Sequence, residues 1–170
     1  MSIRQPEGHP PSLDRPLLAV DIDGVISLFG WEERPAHTQI QLVDGVPHCI
    51  SLVVGERLLR LSERFEMVWA SGWEDKANFY LPQLLGLPEL PHVSFDVIPR
   101  SGGAHWKLAA MEDYVADRPV AWIDDNFDAS CYEWAERRAV PTLLVPTEPH
   151  LGLEEGHVDA LEGWAASLSA

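Results

Sequence analysis

Apolar residues along the chain follow two rhythms. Continuous runs at Leu17-Leu18-Ala19-Val20, Met67-Val68-Trp69-Ala70 and Val120-Ala121-Trp122-Ile123 are bounded by polar residues. Such runs predict strands buried on both faces, as in a parallel sheet. Elsewhere apolar residues recur at helical spacing. Val54, Leu58, Leu61 and Phe65 share one face of a helix expected over Gly55–Arg64, and Val158, Leu161 and Ala165 one face of a helix over His157–Leu168. Further helices are expected from Glu74 to about Leu81, broken near Pro82, from His105 to about Val115, and from Ala129 to Arg138. Val93–Ile98 and Pro141–Val145 complete a set of five strands. Strands alternating with helices predict an α/β fold of three layers: a doubly wound, Rossmann-like, mainly parallel five-stranded sheet.

One stretch departs from this pattern. Thr38–Val43 alternates polar and apolar residues, Asp44-Gly45 is a strong turn signal, and Val46–Leu52 can return as a second strand. This predicts a small β-hairpin flap over residues 38–52, too short to form a domain. Residues 1–16 carry Pro6, Pro10, Pro11 and Pro16 and predict an extended arm. Residues 17–170 are then a single domain, in keeping with a chain of 170 residues.

Composition narrows the partners. The net charge of -15 disfavours nucleic acid or an anionic membrane as a passive partner, since affinity for either needs clustered Lys and Arg. It leaves room for a local basic site. Cys49 and Cys131 lack metal-ligand spacing and fit reduced thiols better than a disulfide framework. With no apolar core of a signal peptide near the start and no run of transmembrane length, the expected location is cytoplasmic.

The candidate chemistry gathers at strand ends. Asp21 and Asp23 flank Ile22 where the first strand stops, and Gly24 follows. Open α/β sheets place ligands at the carboxyl ends of their strands. Two carboxylates there are costly to desolvate without a cation, and a hard divalent ion such as Mg2+ with oxygen ligands meets that need. Ser71-Gly72 ends the second strand, Lys107 opens a helix, and Asp124-Asp125 ends the fourth strand. Taken singly, Ser71 reads equally as a turn residue and Asp124-Asp125 as a solvated turn or helix cap. Trp31, Trp73 and Trp106 either line the crevice mouth or pack the core. None of His37, His48, His92, His105, His150 and His157 shows metal spacing, and Arg100 reads as a surface cation or an anion contact.

In this order and placement, Asp21-Ile22-Asp23-Gly24-Val25, Ser71, Lys107 and Trp122-Ile123-Asp124-Asp125 resemble the four motifs of the haloacid dehalogenase superfamily of phosphohydrolases. The resemblance spans about residues 17–146 and implies that, counted in chain order, the strands lie 5-4-1-2-3 across the sheet. It implies that Asp21 is the nucleophile and also touches Mg2+. Asp23 would give its backbone carbonyl to the metal and use its side chain as general acid and base. Ser71 and Gly72 would hold the phosphate with Lys107. Asp124 would ligate the metal, and Asp125 or Asp128 would support it through water or hold Lys107. The activity so implied is Mg2+-dependent hydrolysis of a phosphomonoester through an aspartyl-phosphate. A nucleic-acid end-processing phosphatase, a phosphotransferase and a non-catalytic binding module are the alternatives. Neither gap between motifs leaves enough chain for a large cap domain, so the crevice is expected to be open, shielded at most by the hairpin. Its phosphorylated substrate would then be large enough to bring its own surface, or a second copy of the chain would close the site in a homodimer.

Overall fold

The structure, a computed structural model, describes residues 15–170. The expected arm therefore falls outside the described residues, apart from Arg15 and Pro16. Strands β1 (Leu17–Val20), β2 (Ser27–Leu28), β3 (Thr38–Val43) and β4 (Val46–Ser51) are followed by helix α1 (Val53–Leu61) and strand β5 (Glu66–Trp69). A 3-10 turn (Glu74–Lys76) leads into α2 (Ala77–Leu85), and a second (Ala104–Lys107) into α3 (Leu108–Val115). Then come β6 (Val120–Asp124), α4 (Ala129–Arg137), β7 (Thr142–Pro146) and α5 (Glu155–Leu168).

The main sheet is parallel and has four strands in the order β5-β1-β6-β7. Alternation along its strands divides the core. Leu18, Val20, Met67, Trp69, Ala121 and Ile123 pack beneath α1, α2 and α5, against Val54, Leu58, Leu81 and Leu161. Leu17, Ala19, Val68, Val120 and Trp122 face α3 and α4, against Met111, Val115, Cys131 and Trp134. Two helical layers thus cover one sheet, and the apolar runs are buried on both sides because helices lie on both faces. Cys49 and Cys131 are free and buried.

The expected third core strand, Val93–Ile98, does not form, which leaves four strands where five were expected. Trp69 N–H donates to Pro91 O and Val93 N–H to Trp69 O, which makes a single bridge beside β5. The chain then leaves the sheet, because Phe95 N–H donates to the Glu74 carboxylate rather than to a strand. The break expected at Pro82 is also absent. Leu81 and Leu85 bury on the same side of α2 and carry the helix past the proline to Leu85. Their burial, worth about 1.5–3 kcal/mol each, offsets the bond that proline cannot make.

The hairpin β3–β4 turns at Asp44 and Gly45, both with positive φ (50° and 81°), which suits a primed two-residue turn. It belongs to a separate antiparallel sheet of order β2-β4-β3. An ion pair between Asp44 and Lys76 ties its tip to the turn before α2.

Candidate active site

Adjacent strand ends are knitted by backbone bonds. Ala70 N–H donates to Val20 O, and Asp21 N–H to Ile123 O. This brings Ala70, Asp21 and Asp124, from the ends of β5, β1 and β6, to one place. Lys107 enters from the turn before α3. Its Nζ donates to Ala70 O (2.9 Å) and Asp124 Oδ2 (2.7 Å) and lies 3.0 Å from Asp21 Oδ1. The ammonium thereby directs its three N–H donors at three acceptors. All four residues lie inside the protein: Asp21 is 6% exposed, Lys107 4% and Asp124 2%. Asn126 N–H donates to Asp124 Oδ1 and fixes that carboxylate from the other side.

Burial opposes the charge of Lys107, but Asp21 and Asp124 outweigh it and hold its pKa above the ordinary value. Burial pushes the Asp21 carboxyl well upward, against the pull of Lys107. For Asp125, burial and then the charge of Asp124 raise the pKa to about 6. Burial thus dominates at the two carboxyls, while at Lys107 the two carboxylates outweigh it, and one ammonium lies among three acidic groups. Oxygens of Asp21, Asp124 and Asp125 lie within 4.8 Å of one another. This is an all-oxygen set with excess negative charge, and it fits a hard divalent cation such as Mg2+. The Asp23 side chain is not in the set, and the role implied for it at the metal concerned its backbone carbonyl. Gly24 is fitted to the cluster, since it has a φ of 78° and a Cβ there would collide with Asp125.

Ser71 is buried, and its Oγ accepts the Trp73 N–H (3.2 Å) at the start of the turn that leads into α2. Asp23 stands at the rim with its side chain 51% exposed. Its Oδ2 accepts the indole N–H of Trp73 (3.1 Å). Asp128 lies apart from the acidic cluster, where it caps α4 by accepting Cys131 N–H and pairs with His105.

A crevice of about 310 Å3 opens above these groups, lined by Asp21, Asp23, Ser71, Gly72, Lys107, Asp124 and Asp125. Its remaining walls come from Phe29, Trp106, Asn126, Ala104 and the loop of residues 98–102, which includes Arg100. Among the described residues, none of 38–52 lines it, so this loop and Phe29 supply the wall expected of the hairpin. Of the three tryptophans, Trp106 faces the crevice, Trp73 is buried behind Asp23, and Trp31 donates its N–H to Leu28 O. Sequence reasoning missed Phe29, Asn126 and His48. Only His48 carried a signal: on β4 it shares a register with Val46 and Ile50, where a polar residue needs a partner.

A parallel α/β sheet with acidic residues clustered at the ends of its central strands and a lysine threaded between them defines a haloacid dehalogenase-like domain. The family model described as the HAD domain in Swiss Army Knife RNA repair proteins matches residues 17–158, and the chain belongs to that family. No curated protein matches it. Among solved structures, a hypothetical protein from Xanthomonas campestris is similar in fold, with a TM-score of 0.50 and 13% identity, covering 99% of this chain and 96% of that one. Among the described residues, no helix is long and apolar enough to cross a membrane.

Proposed function

We propose that this protein is a Mg2+-dependent phosphohydrolase that works through an aspartyl-phosphate. One observation carries the reading: Asp21 lies at the floor of the crevice, oriented by Lys107, with Asp23 at the rim above it. Asp21 attacks phosphorus, and its new O–P bond forms as the bond to the leaving oxygen breaks. Asp23 gives that oxygen its proton. Asp23 then takes a proton from water, whose oxygen attacks phosphorus and releases Asp21 and inorganic phosphate. Ser71 accepts from Trp73 N–H, which leaves its own hydroxyl proton for a phosphate oxygen. Lys107 has its donors committed to Ala70, Asp21 and Asp124 and chiefly aims the nucleophile. A magnesium ion held by Asp21, Asp124 and Asp125 would supply charge that offsets the phosphate dianion.

The test is release of phosphate from a phosphomonoester, with and without magnesium, by the wild type and Asp21→Asn. We expect magnesium-dependent turnover that falls by several orders of magnitude in the variant, as for loss of a covalent catalyst. Substantial activity in a contaminant-free Asp21→Asn preparation would eliminate the mechanism.

A more specific reading takes the terminal phosphate of an RNA as substrate. It is supported by the RNA repair proteins in the family's description and by Phe29, 49% exposed at the crevice wall and available to stack on a base. Higher kcat/KM on phosphorylated RNA ends than on small monoesters is the expected result, and equal values would remove the support.

A further inference from the structure

We propose that His48 and Trp73 are positioning residues that hold Asp23 at the angle its proton transfers require. This rests on the phosphohydrolase reading above and adds two residues outside the four motifs. Asp23 is half exposed, and a carboxylate in that setting ordinarily samples several rotamers. Here it is bounded on two sides, by one hydrogen bond and by one imidazole edge. Trp73 Nε1–H donates to Oδ2 at 3.1 Å. His48 Nδ1 lies 3.6 Å from Oδ1 and 2.9 Å from Ser27 Oγ. The imidazole and indole rings meet edge to face, with centroids 4.8 Å apart and planes at 71°. These groups come from three separate segments: Ser27 on β2, His48 on β4 and Trp73 after β5.

A plainer explanation covers part of this. A buried indole N–H needs an acceptor, and Asp23 supplies one. That accounts for Trp73 and leaves His48, whose Nδ1 is within hydrogen-bond distance of Ser27 Oγ and faces the other carboxylate oxygen at 3.6 Å, a polar approach longer than a hydrogen bond. The small antiparallel sheet, which contributes no lining to the crevice from residues 38–52, thus reaches the chemistry through one side chain. A displacement on the order of 1 Å in such a group costs about 100-fold in rate.

Asp23 acts twice, as acid toward the leaving oxygen and as base toward water, and the test uses that. With p-nitrophenyl phosphate the leaving oxygen needs no proton, so formation of the aspartyl-phosphate escapes a misplaced Asp23 while its hydrolysis does not. With glycerol phosphate both steps need Asp23. Two variants of matched polarity serve. His48→Asn keeps a polar atom near the Nδ1 position, whereas His48→Gln moves it to the far side of the ring. We expect His48→Gln to lower kcat on glycerol phosphate about 10- to 100-fold with KM little changed, a partial loss of a general acid–base contribution. On p-nitrophenyl phosphate it should release a rapid burst near one nitrophenolate per site and then turn over slowly. His48→Asn should keep most of the wild-type rate on both substrates, and Trp73→Phe should reproduce the His48→Gln pattern. Equal losses on the two substrates without a burst, a change confined to KM, or identical behaviour of the Asn and Gln variants would overturn the proposal. These failures differ from failure of the underlying reading, which shows as a wild type that hydrolyses neither substrate or an active Asp21→Asn.

Discussion

Gly24 faces the carboxyl of Asp125 with no room between them for a β-carbon, at a φ of 78° that side chains other than hydrogen rarely adopt. Gly24→Ala therefore adds about 1–3 kcal/mol of backbone strain and pushes Asp125 off the acidic cluster. Activity should fall at least tenfold, and the protein should respond less to magnesium. Thermal unfolding with and without the ion, beside a steady-state assay, checks both effects.

Lys107 is the only ammonium in contact with Asp21 and Asp124 among the described residues. Lys107→Met keeps much of its length and removes its charge, leaving two buried carboxylates facing each other. Loss of one partner from a buried ionic group typically costs about 3–5 kcal/mol. Denaturant unfolding should show a loss of that size in magnesium-free buffer and a smaller one when magnesium is added. An equal loss in both buffers would show that the carboxylates do not share a cation site.

Magnesium should bind the native cluster and not the unfolded chain. At a concentration of about 100 Kd, linkage adds about 2.7 kcal/mol, or about 5–10 °C in Tm for a chain of this size. Asp124→Asn should abolish the gain. A melting temperature that ignores a wide magnesium titration in the wild type would count against the site.

Asp125 sets a pH dependence in the metal-free protein. Its pKa is raised from 3.8 to about 6, so between those values the folded state holds a proton that the unfolded chain has released. The resulting stabilisation is fully present below about pH 4 and is lost as pH rises through 6. Asp125→Asn should flatten this segment of the Tm–pH curve. Protons and magnesium compete for the same oxygens, so the magnesium shift of the wild type should also shrink below pH 6.

Much of this fold was legible because apolar runs bury on two faces and amphipathic segments on one. The central strands, the hairpin turn at Asp44-Gly45 and the final helix all follow from that. Val93–Ile98 misled because its alternation is that of a strand, yet the partner of Phe95 N–H is a side chain from a distant turn. Pro82 misled for a related reason: the core that buries Leu81 and Leu85 sustains the helix through contacts outside it. At the site, motif order picked out Asp21, Ser71, Lys107 and Asp124, residues that the fold gathers in one crevice. Phe29 and Asn126 had no such signature, since each reaches the crevice only through the path of a loop. Asp128 shows that adjacency in sequence does not place a carboxylate: helix capping takes it away from its neighbours Asp124 and Asp125.

The ammonium of Lys107 touches the carboxyl ends of three strands at once, through Ala70 of β5, Asp21 of β1 and Asp124 of β6. Freeing any one of them exposes the charges of the others, so no single strand end can fray alone. The amides that cross the same seam, Ala70 to Val20 and Asp21 to Ile123, are therefore bound into one cooperative opening unit. In hydrogen exchange they belong with the slowest class of the sheet rather than with the loops around the crevice. The floor of the cleft therefore opens only when the sheet itself does.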